Sequence, residues 1–331
     1  MVRVRVVGRG AAACARPRPA GRIARPLWRA LLQLLCLAFL AGAAHAQNRG
    51  VYPLGLSAIN SGVTPAPGFT YSNAFLFYSR DEQKGADGEV LAMGQQSVLL
   101  DMNTLGWVDD RPLAALGGAR FSAAVTLPIA NNSLSSSSQG AISGGGGLGD
   151  AYLQPAILAW SSEHTDVRAI LGVLAPTGKF NAGAKDNVGN GYWTPVVASG
   201  QTFYLSADRA TTLSLFEMYE FHGTQSGTHI HPGQTFDLDY SLMRAFALPH
   251  AEARLQVGLV GYGARQTTAK TGPAITAVEE AQRYHVNALG AGLNLVLPKS
   301  QVTLGLKYFD EFSNQWTYQG YSLQISVGVG F

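Results

Sequence analysis

The last eleven residues of the chain alternate between apolar side chains and small or polar ones. The apolar set ends on an aromatic and comprises Tyr321, Leu323, Ile325, Val327, Val329 and Phe331. Because successive side chains point to opposite faces of a strand, this pattern predicts a strand with one apolar wall and one small, polar wall. A half-buried strand of a soluble sheet shows the same alternation. The terminal aromatic, however, resembles the sorting signal of bacterial outer-membrane β-barrels.

The same alternation of apolar and polar residues occurs throughout the chain from Gly68 onward, in runs of about 10–15 residues separated by turn residues. The predicted strands are 68–80, 95–108, 118–129, 150–161, 165–175, 192–206, 210–222, 234–247, 251–266, 281–297, 300–313 and 320–331. Most connections alternate between long and short along the chain. The long ones are 81–94, 130–149, 176–191, 223–233, 267–280 and 312–319, whereas 109–117 is a medium loop where a short turn is expected.

Short turns at one end and long loops at the other are typical of a transmembrane barrel, with the turns in the periplasm. In hydrocarbon every backbone polar group needs a partner within the chain, so strands cross only as a closed barrel. Charged residues make up 14% of the chain, against about 25% in soluble domains. We therefore predict an all-β fold: a transmembrane antiparallel up-and-down β-barrel of about 12 strands over residues 68–331. A soluble sandwich or jelly roll holds as many strands but leaves the loop asymmetry unexplained.

The first 46 residues have the anatomy of a secretory signal peptide. Residues 1–29 contain eight arginines and no acid, and an apolar run from Ala30 to Gly42 follows. Ala44-His45-Ala46 then forms a small-x-small cleavage site. The apolar run is too short to span a bilayer as a helix. We expect cleavage after Ala46; a membrane-anchored N-terminus is the alternative.

Removing residues 1–46 changes the charge and the available chemistry. The chain has 24 basic and 21 acidic residues, so losing eight arginines leaves 16 against 21, a net charge of −5. Nucleic-acid binding then has no electrostatic support. Cys14 and Cys36 also lie in this segment, so the mature chain forms no disulfide and no thiolate metal site. We expect no metal and no cofactor.

Several short motifs follow one another along the chain in an order that resembles that of a known family. They are Pro67-Gly68-Phe69, Gly147-Leu148-Gly149-Asp150, Pro176 to Phe180, Asn187 to Trp193, Tyr219-Glu220, Pro232-Gly233 and Asp237 to Tyr240. Their order and spacing resemble the outer-membrane family named after the meta-cleavage pathway of phenol degradation. The resemblance covers roughly residues 65–331. It implies an outer-membrane barrel that acts as a transporter, linked in some members to the degradation of aromatic compounds, and it identifies no substrate.

If the apolar faces meet lipid, the opposite faces line the lumen. A basic residue on the lipid face near the bilayer midplane costs about 2–4 kcal/mol, which favours inward placement of charge. The candidates for the lumen are Asp101, Asn103, Arg120, Asp237, Asp239, Arg254, Gln256 and Lys307. They form either a polar selectivity ladder or acid–base pairs that stiffen the barrel. Glu217 and Glu220 lie on opposite faces of a strand whose register the pattern leaves open.

The Gly/Pro-rich segment 47–67 precedes the first strand. It either folds into the lumen from the periplasm and gates it or forms a mobile periplasmic tail. A barrel of this strand number has a lumen roughly 10 Å wide at most after side chains, which suits a small solute.

Two other groups of residues give only weak evidence for a metal site or a catalytic site. His222, His229 and His231 surround the loop 223–233 and resemble a metal site, but we expect solvated loop histidines. Ser226 shares that loop with the histidines, as a lipid hydrolase would require. The sequence has no G-x-S-x-G elbow, so we expect no catalytic residues and no enzymatic activity.

The sequence therefore predicts a channel of the bacterial outer membrane for passive uptake of a small solute of aromatic or apolar character. A structural barrel is the alternative, and an outer-membrane lipid hydrolase is a weaker one. The expected partners are membrane lipid and lipopolysaccharide, the small-molecule solute, the inner-membrane secretion channel for residues 1–46, and the barrel-assembly machinery for 321–331. No nucleic acid is expected.

Removing Phe331 is expected to impair assembly, because the terminal aromatic would no longer complete the sorting signal. The measurement is the amount of heat-modifiable protein in the outer membrane. A normal amount from the chain lacking Phe331 would contradict the assignment.

Overall fold

A computed structural model describes residues 49–136, 140–184, 186–248, 252–273 and 275–331. The predicted signal peptide, residues 1–46, lies outside these residues. No helix in the described part of the chain is both long enough and apolar enough to cross a membrane.

The described residues form thirteen strands joined into one antiparallel sheet. The strands are β1 (Gly68–Lys84), β2 (Val90–Leu113), β3 (Ala119–Ser136), β4 (Gly140–Leu148), β5 (Ala151–Ser161), β6 (Thr165–Ala175), β7 (Thr194–Tyr204), β8 (Thr211–Glu220), β9 (Thr235–Leu248), β10 (Ala253–Gln266), β11 (His285–Leu297), β12 (Val302–Glu311) and β13 (Tyr318–Gly330).

The sheet is closed on itself. β1 pairs with both β2 and β13, and β2 pairs with β3. β4 pairs with the second half of β3, and β5 pairs with its first half. Together β4 and β5 therefore count as one strand of the barrel, interrupted at Gly149 and Asp150. The result is a closed 12-strand antiparallel β-barrel, which confirms the predicted fold class. Closure gives every strand except β4 two neighbours in the described part of the chain.

The two ends of the barrel differ. We call the end that holds Gly68 and Phe331 the terminal end; there the backbone of Phe69 and Phe331 exchanges two hydrogen bonds of 3.0 and 2.9 Å. The connections at this end are short and include two single 3₁₀ turns, Ala114–Leu116 and Pro298–Ser300. The opposite end, the loop end, carries the long connections 176–193, 221–234 and 267–284. The last of these contains a short helix, α1 (Ala277–Ala281).

Two predicted loops are mostly strand. β1 and β2 continue through much of 81–94, and β3 and β4 continue through much of 130–149. Asp81 to Lys84 is entirely polar, Val90 to Met93 is entirely apolar, and 130–149 consists mostly of small and polar residues, so the alternation that marked the other strands is missing there. The predicted medium loop 109–117 is shorter than expected because β2 continues to Leu113, and this connection therefore follows the pattern of the terminal end.

The outward face is mostly apolar and carries aromatic pairs toward both ends. At the terminal end Phe69 stacks on Phe331 with ring centroids 6.2 Å apart. Toward the loop end Tyr321 contacts Phe77 and Tyr308, each at 6.0 Å. The six residues of the predicted assembly signal all lie on this face, because they alternate with Ser322 and Gln324, which are buried inside. An apolar band between two aromatic girdles is the surface that a transmembrane barrel presents to lipid.

Placing arginine on the outward face should destabilise the barrel according to depth. Leu259 lies in the middle of β10 and is 55% exposed, so Leu259→Arg is expected to cost about 2–4 kcal/mol of unfolding free energy in a bilayer. Leu248 lies at the end of β9 near the terminal end, and Leu248→Arg is the matched control with an expected cost of about 0–1 kcal/mol. Urea unfolding from liposomes measures both. Equal losses at the two positions would contradict the orientation of the barrel in the membrane.

Candidate functional site

The residues before β1 lie inside the barrel. Residues 49–67, which we call the lumen segment, run along the barrel from a point near the loop end to the terminal end. Arg49 contacts Glu311 at the loop-end limit of β12. Ser61 accepts a hydrogen bond from Arg168 near the terminal end. The segment therefore passes along the lumen, where the sequence had left a lumenal plug and a mobile tail as alternatives.

Two carboxylates of the barrel wall bind the backbone amides of the lumen segment. Glu220, on β8, accepts from the amides of Val51 at 3.0 Å and Tyr52 at 2.7 Å. Asp239, on β9, accepts from the amides of Gly55 at 2.8 Å and Ser57 at 3.0 Å. Both carboxylates are fully buried. Their charge is thus stabilised by N–H donors rather than by water.

Basic and amide side chains bind the carbonyl groups of the same segment. Lys307 Nζ donates to the carbonyls of Gly55 at 2.5 Å and Leu56 at 2.8 Å. Gln324 donates to the carbonyl of Leu54 at 2.8 Å. A buried backbone group without a partner costs free energy, and this segment forms no strand. The wall side chains therefore replace the partners that a sheet would supply.

Tyr52 is the main aromatic anchor of the lumen segment. Its ring packs against Phe216, with centroids 5.3 Å apart, and its hydroxyl donates to Asp239 at 2.7 Å. Tyr52 therefore joins the lumen segment to β8 through its ring and to β9 through its hydroxyl.

A buried ion pair anchors the beginning of the segment. Arg49 makes two hydrogen bonds to Glu311, with N–O distances of 2.6 and 3.0 Å, and a third to the Tyr318 carbonyl. Glu311 also accepts from the Tyr262 hydroxyl at 2.9 Å and from Asn314 at 3.1 Å. A buried pair of this kind is stable only when further hydrogen bonds satisfy its remaining atoms, and here they do.

Close packing requires glycine at two points of the segment. Gly55 has a φ of +81°, and a Cβ there would lie 2.7 Å from the ring of Phe309. A Cβ on Gly62 would meet the backbone of Asp166 and Thr202 on the wall. The Gly/Pro-rich composition thus lets the backbone approach the barrel wall closely.

Six of the residues predicted to line the lumen lie on inward faces. Asp237, Asp239, Gln256 and Lys307 are buried in the interior, and Gln256 binds both Asn60 and Asn294. Arg120 and Arg254 lie near the terminal end, where Arg254 donates to the carbonyl of Arg209. Most of the buried set contacts the lumen segment, so these residues form an anchoring surface rather than an open ladder.

Asp101 and Asn103 are corrections: both lie on the outward face. They pair across β1 and β2 with Phe75 and Asn73, whereas the inward position between them, Met102, is buried against Ala74. The Asn73 and Asn103 amides donate to the Asp101 carboxylate. These hydrogen bonds offset the cost of an outward acid, which is smaller for Asp than for a basic residue.

Glu220 and Arg49 are essential to the site and were not among the predicted lumen residues. Glu220 lies inward and Glu217 outward, where Glu217 accepts from Ser199 at 2.9 Å. β8 carries apolar residues on both of its faces, so the sequence pattern does not show which glutamate faces the lumen. The pairing of Tyr219 with Glu220 in the family motif was the available signal.

His222 is also a correction, because it is buried rather than solvated. Its ring nitrogens contact the hydroxyls of Thr194 at 3.1 Å and Thr235 at 3.0 Å, and its Nε2 lies 3.3 Å from Glu220. Both ring nitrogens are thus occupied by partners other than Ser226. Among the described residues, no three or more His, Cys, Asp or Glu side chains lie close enough together to hold a metal ion.

Comparison with known proteins gives the family. Residues 80–327 match the family described as "Putative MetA-pathway of phenol degradation". The chain belongs to this family. Among solved structures, it is similar to the COG4313 outer membrane channel from Pseudomonas putida F1, with 15% identity and a TM-score of 0.62 over 85% of this chain and 100% of that one.

A second similar structure is the beta domain of the Bordetella autotransporter Brka, with 15% identity and a TM-score of 0.47 over 80% of this chain and 100% of that one. At these identities the likeness concerns the fold alone. No curated protein sequence is significantly similar to this chain.

The motifs that carry the family resemblance organise the loop end. Asp150 accepts from the amides of Gly178 at 3.0 Å and Asn190 at 2.8 Å, and from the Asn190 side chain at 2.9 Å. A Cβ on Gly178 would lie 2.7 Å from the Cα of Gly189. The motif residues around 150, 178 and 190 therefore fold the loop 176–193 back over the barrel.

Arg49→Met is expected to loosen the lumen segment. It leaves the buried Glu311 without its cation, a change that costs about 3–5 kcal/mol in general, and the remaining donors to Glu311 place this case near 3 kcal/mol. Amide exchange of residues 50–62 should therefore become roughly 100-fold faster.

Hydrogen exchange followed by mass spectrometry measures this effect. Lys179→Met is the matched control, because it removes an ion pair with Asp186 that is exposed on the loop and should leave the segment unchanged. Equal protection in the wild type and in Arg49→Met would contradict the anchoring role.

Proposed function

We propose that this protein is an outer-membrane channel for passive uptake of a small solute of apolar or aromatic character. The short connections of the terminal end then face the periplasm, and the long loops face the exterior. Residues 1–46 direct export through the inner-membrane secretion channel, and the barrel-assembly machinery recognises 321–331. Lipid and lipopolysaccharide contact the outward face.

The proposal of an apolar solute rests on the side chains that β1 and β2 turn toward the lumen. In the middle of these strands the inward side chains are apolar: Leu76, Tyr78, Leu100 and Met102 form one cluster with Leu56 of the lumen segment. The inward faces of β8, β9 and β12 instead carry Glu220, Asp239 and Lys307. Binding sites for small molecules are lined mostly by apolar groups with few polar ones. An apolar solute is thus expected to move along the β1–β2 side.

The lumen segment is the proposed gate. Its contacts with the wall are side-chain hydrogen bonds, one ion pair and apolar packing of residues such as Tyr52 and Leu56. Displacing it would break these contacts without opening the sheet. No energy source at the outer membrane is required, because movement of the solute follows its gradient.

The filled lumen is also the observation that favours the alternative, a structural barrel. In that case the segment stiffens the barrel permanently and no solute passes. The two functions differ in what happens when the segment is removed.

Single-channel conductance of the refolded protein in planar bilayers tests the proposal. The chain lacking residues 48–62 is expected to conduct several-fold more than the full mature chain, and an added aromatic solute is expected to reduce its current. Replacing 48–62 by a Gly/Ser sequence of equal length controls for chain length. Unchanged conductance in both variants, with heat-modifiable folded protein, would favour the structural barrel.

A further inference from the structure

Three basic side chains lie on the outward face at the loop end, where β10 ends and β11 begins. Arg265 lies directly opposite His285 in this strand pair, and directly opposite residues have Cβ atoms about 4.5–5.5 Å apart. Arg283 precedes His285 by two residues; both are exposed, whereas Tyr284 between them is buried. Arg283 and His285 therefore lie on the same side of the chain. We call Arg265, Arg283 and His285 the basic strip.

The basic strip lies beside the aromatic side chains of the loop end. The Arg265 guanidinium lies over the ring of Phe236 on β9, 5.7 Å from its centroid. Tyr219 of β8 lies directly opposite Phe236, and its ring contacts that of Phe221 at 4.8 Å. Aromatic girdles lie at the level of the lipid headgroups. The basic strip is therefore at headgroup level rather than within the hydrocarbon.

No side chain of the basic strip forms an ion pair with another residue in the described part of the chain. Other exposed basic residues do have an acidic partner: Lys179 pairs with Asp186, Arg244 with Asp208 and Lys299 with Glu252. Arg283 donates one hydrogen bond to the Thr267 carbonyl at 3.1 Å. This bond holds Arg283 beside the end of β10 and leaves its other N–H groups available to a ligand.

These groups suit a phosphate. A guanidinium presents its N–H groups in a planar fork that binds two oxygens of a phosphate. The Phe236 ring holds Arg265 in place, and the His285 ring supplies another N–H donor beside it. Basic side chains that cluster at headgroup level bind the phosphates of anionic lipids.

We propose that the basic strip binds a phosphate of an outer-leaflet glycolipid, the lipid A part of lipopolysaccharide. The acyl chains of this lipid then lie toward the middle of the barrel, where Leu259 and Leu289 are exposed on the outward faces of the same two strands. The inference rests on the proposed function, because it takes the loop end to face the exterior. It deepens that function by assigning the lipid partner to one site.

Native mass spectrometry of the refolded mature barrel, titrated with lipid A in detergent, tests the site. Lipid A is expected to bind more tightly than the same lipid after removal of its phosphates. Arg265→Gln and Arg283→Gln are each expected to weaken lipid A binding about fivefold, because each removes one cation near the headgroups. Arg244→Gln is the matched control: this arginine is exposed near the terminal end and already paired with Asp208, so binding should not change. Heat-modifiable migration confirms that every variant is folded.

Three results would overturn the site. They are equal binding of lipid A and its dephosphorylated form, equal binding by the wild type and both strip variants, and an equal loss in Arg244→Gln. A large excess of inorganic phosphate separates the two sources of phosphate. If the lipid is the ligand, lipid A stays bound; its release would identify a site for the free anion instead.

The outcome is separable from that of the channel. Lipid A binding is measured without transport, and the basic strip lies outside the lumen. A barrel that binds lipid A through the strip but never conducts would contradict only the proposed channel. A conducting barrel whose lipid A binding ignores the strip would contradict only this site.

Discussion

The structure depends on buried charged side chains of the barrel wall that bind the backbone of the lumen segment. A barrel of twelve strands is wider than the smallest barrels, in which the wall side chains alone fill the interior. Residues 49–67 occupy this space without forming a strand, so their amides and carbonyls need other partners. Glu220, Asp239 and Lys307 supply them. The same contacts stabilise the buried charges, since an ion removed from water needs hydrogen bonds or an opposite charge.

This arrangement divides the lumen into two sides. The inward faces of β8, β9 and β12 carry Glu220, Asp239 and Lys307, which bind the lumen segment. The middle of β1 and β2 instead presents apolar side chains that pack against Leu56. The lumen segment is therefore held by polar contacts on one side and by apolar packing on the other.

The strands were predictable because each places alternate side chains in two different environments. Where the alternation stops, prediction failed: Asp81 to Lys84 is polar on both faces and Val90 to Met93 is apolar on both, and these extensions were predicted as loops. The rule that polar residues face inward succeeded for Lys307 and failed for Asp101. It failed because Asn73 and Asn103 satisfy the Asp101 carboxylate on the outward face, while Leu100 and Met102 occupy the apolar interior.

The sequence by itself determined the closed barrel, the position of each strand that alternates apolar and polar residues, and the difference between its two ends. These features follow from period-two alternation and from the need of every backbone group for a partner, and both act locally or on the whole sheet. Only the tertiary structure decided which wall residues hold the lumen segment. Glu220 meets Val51 across 169 residues of chain, and Arg49 meets Glu311 across 262. No local pattern encodes such pairs, because their geometry exists only once the barrel has closed.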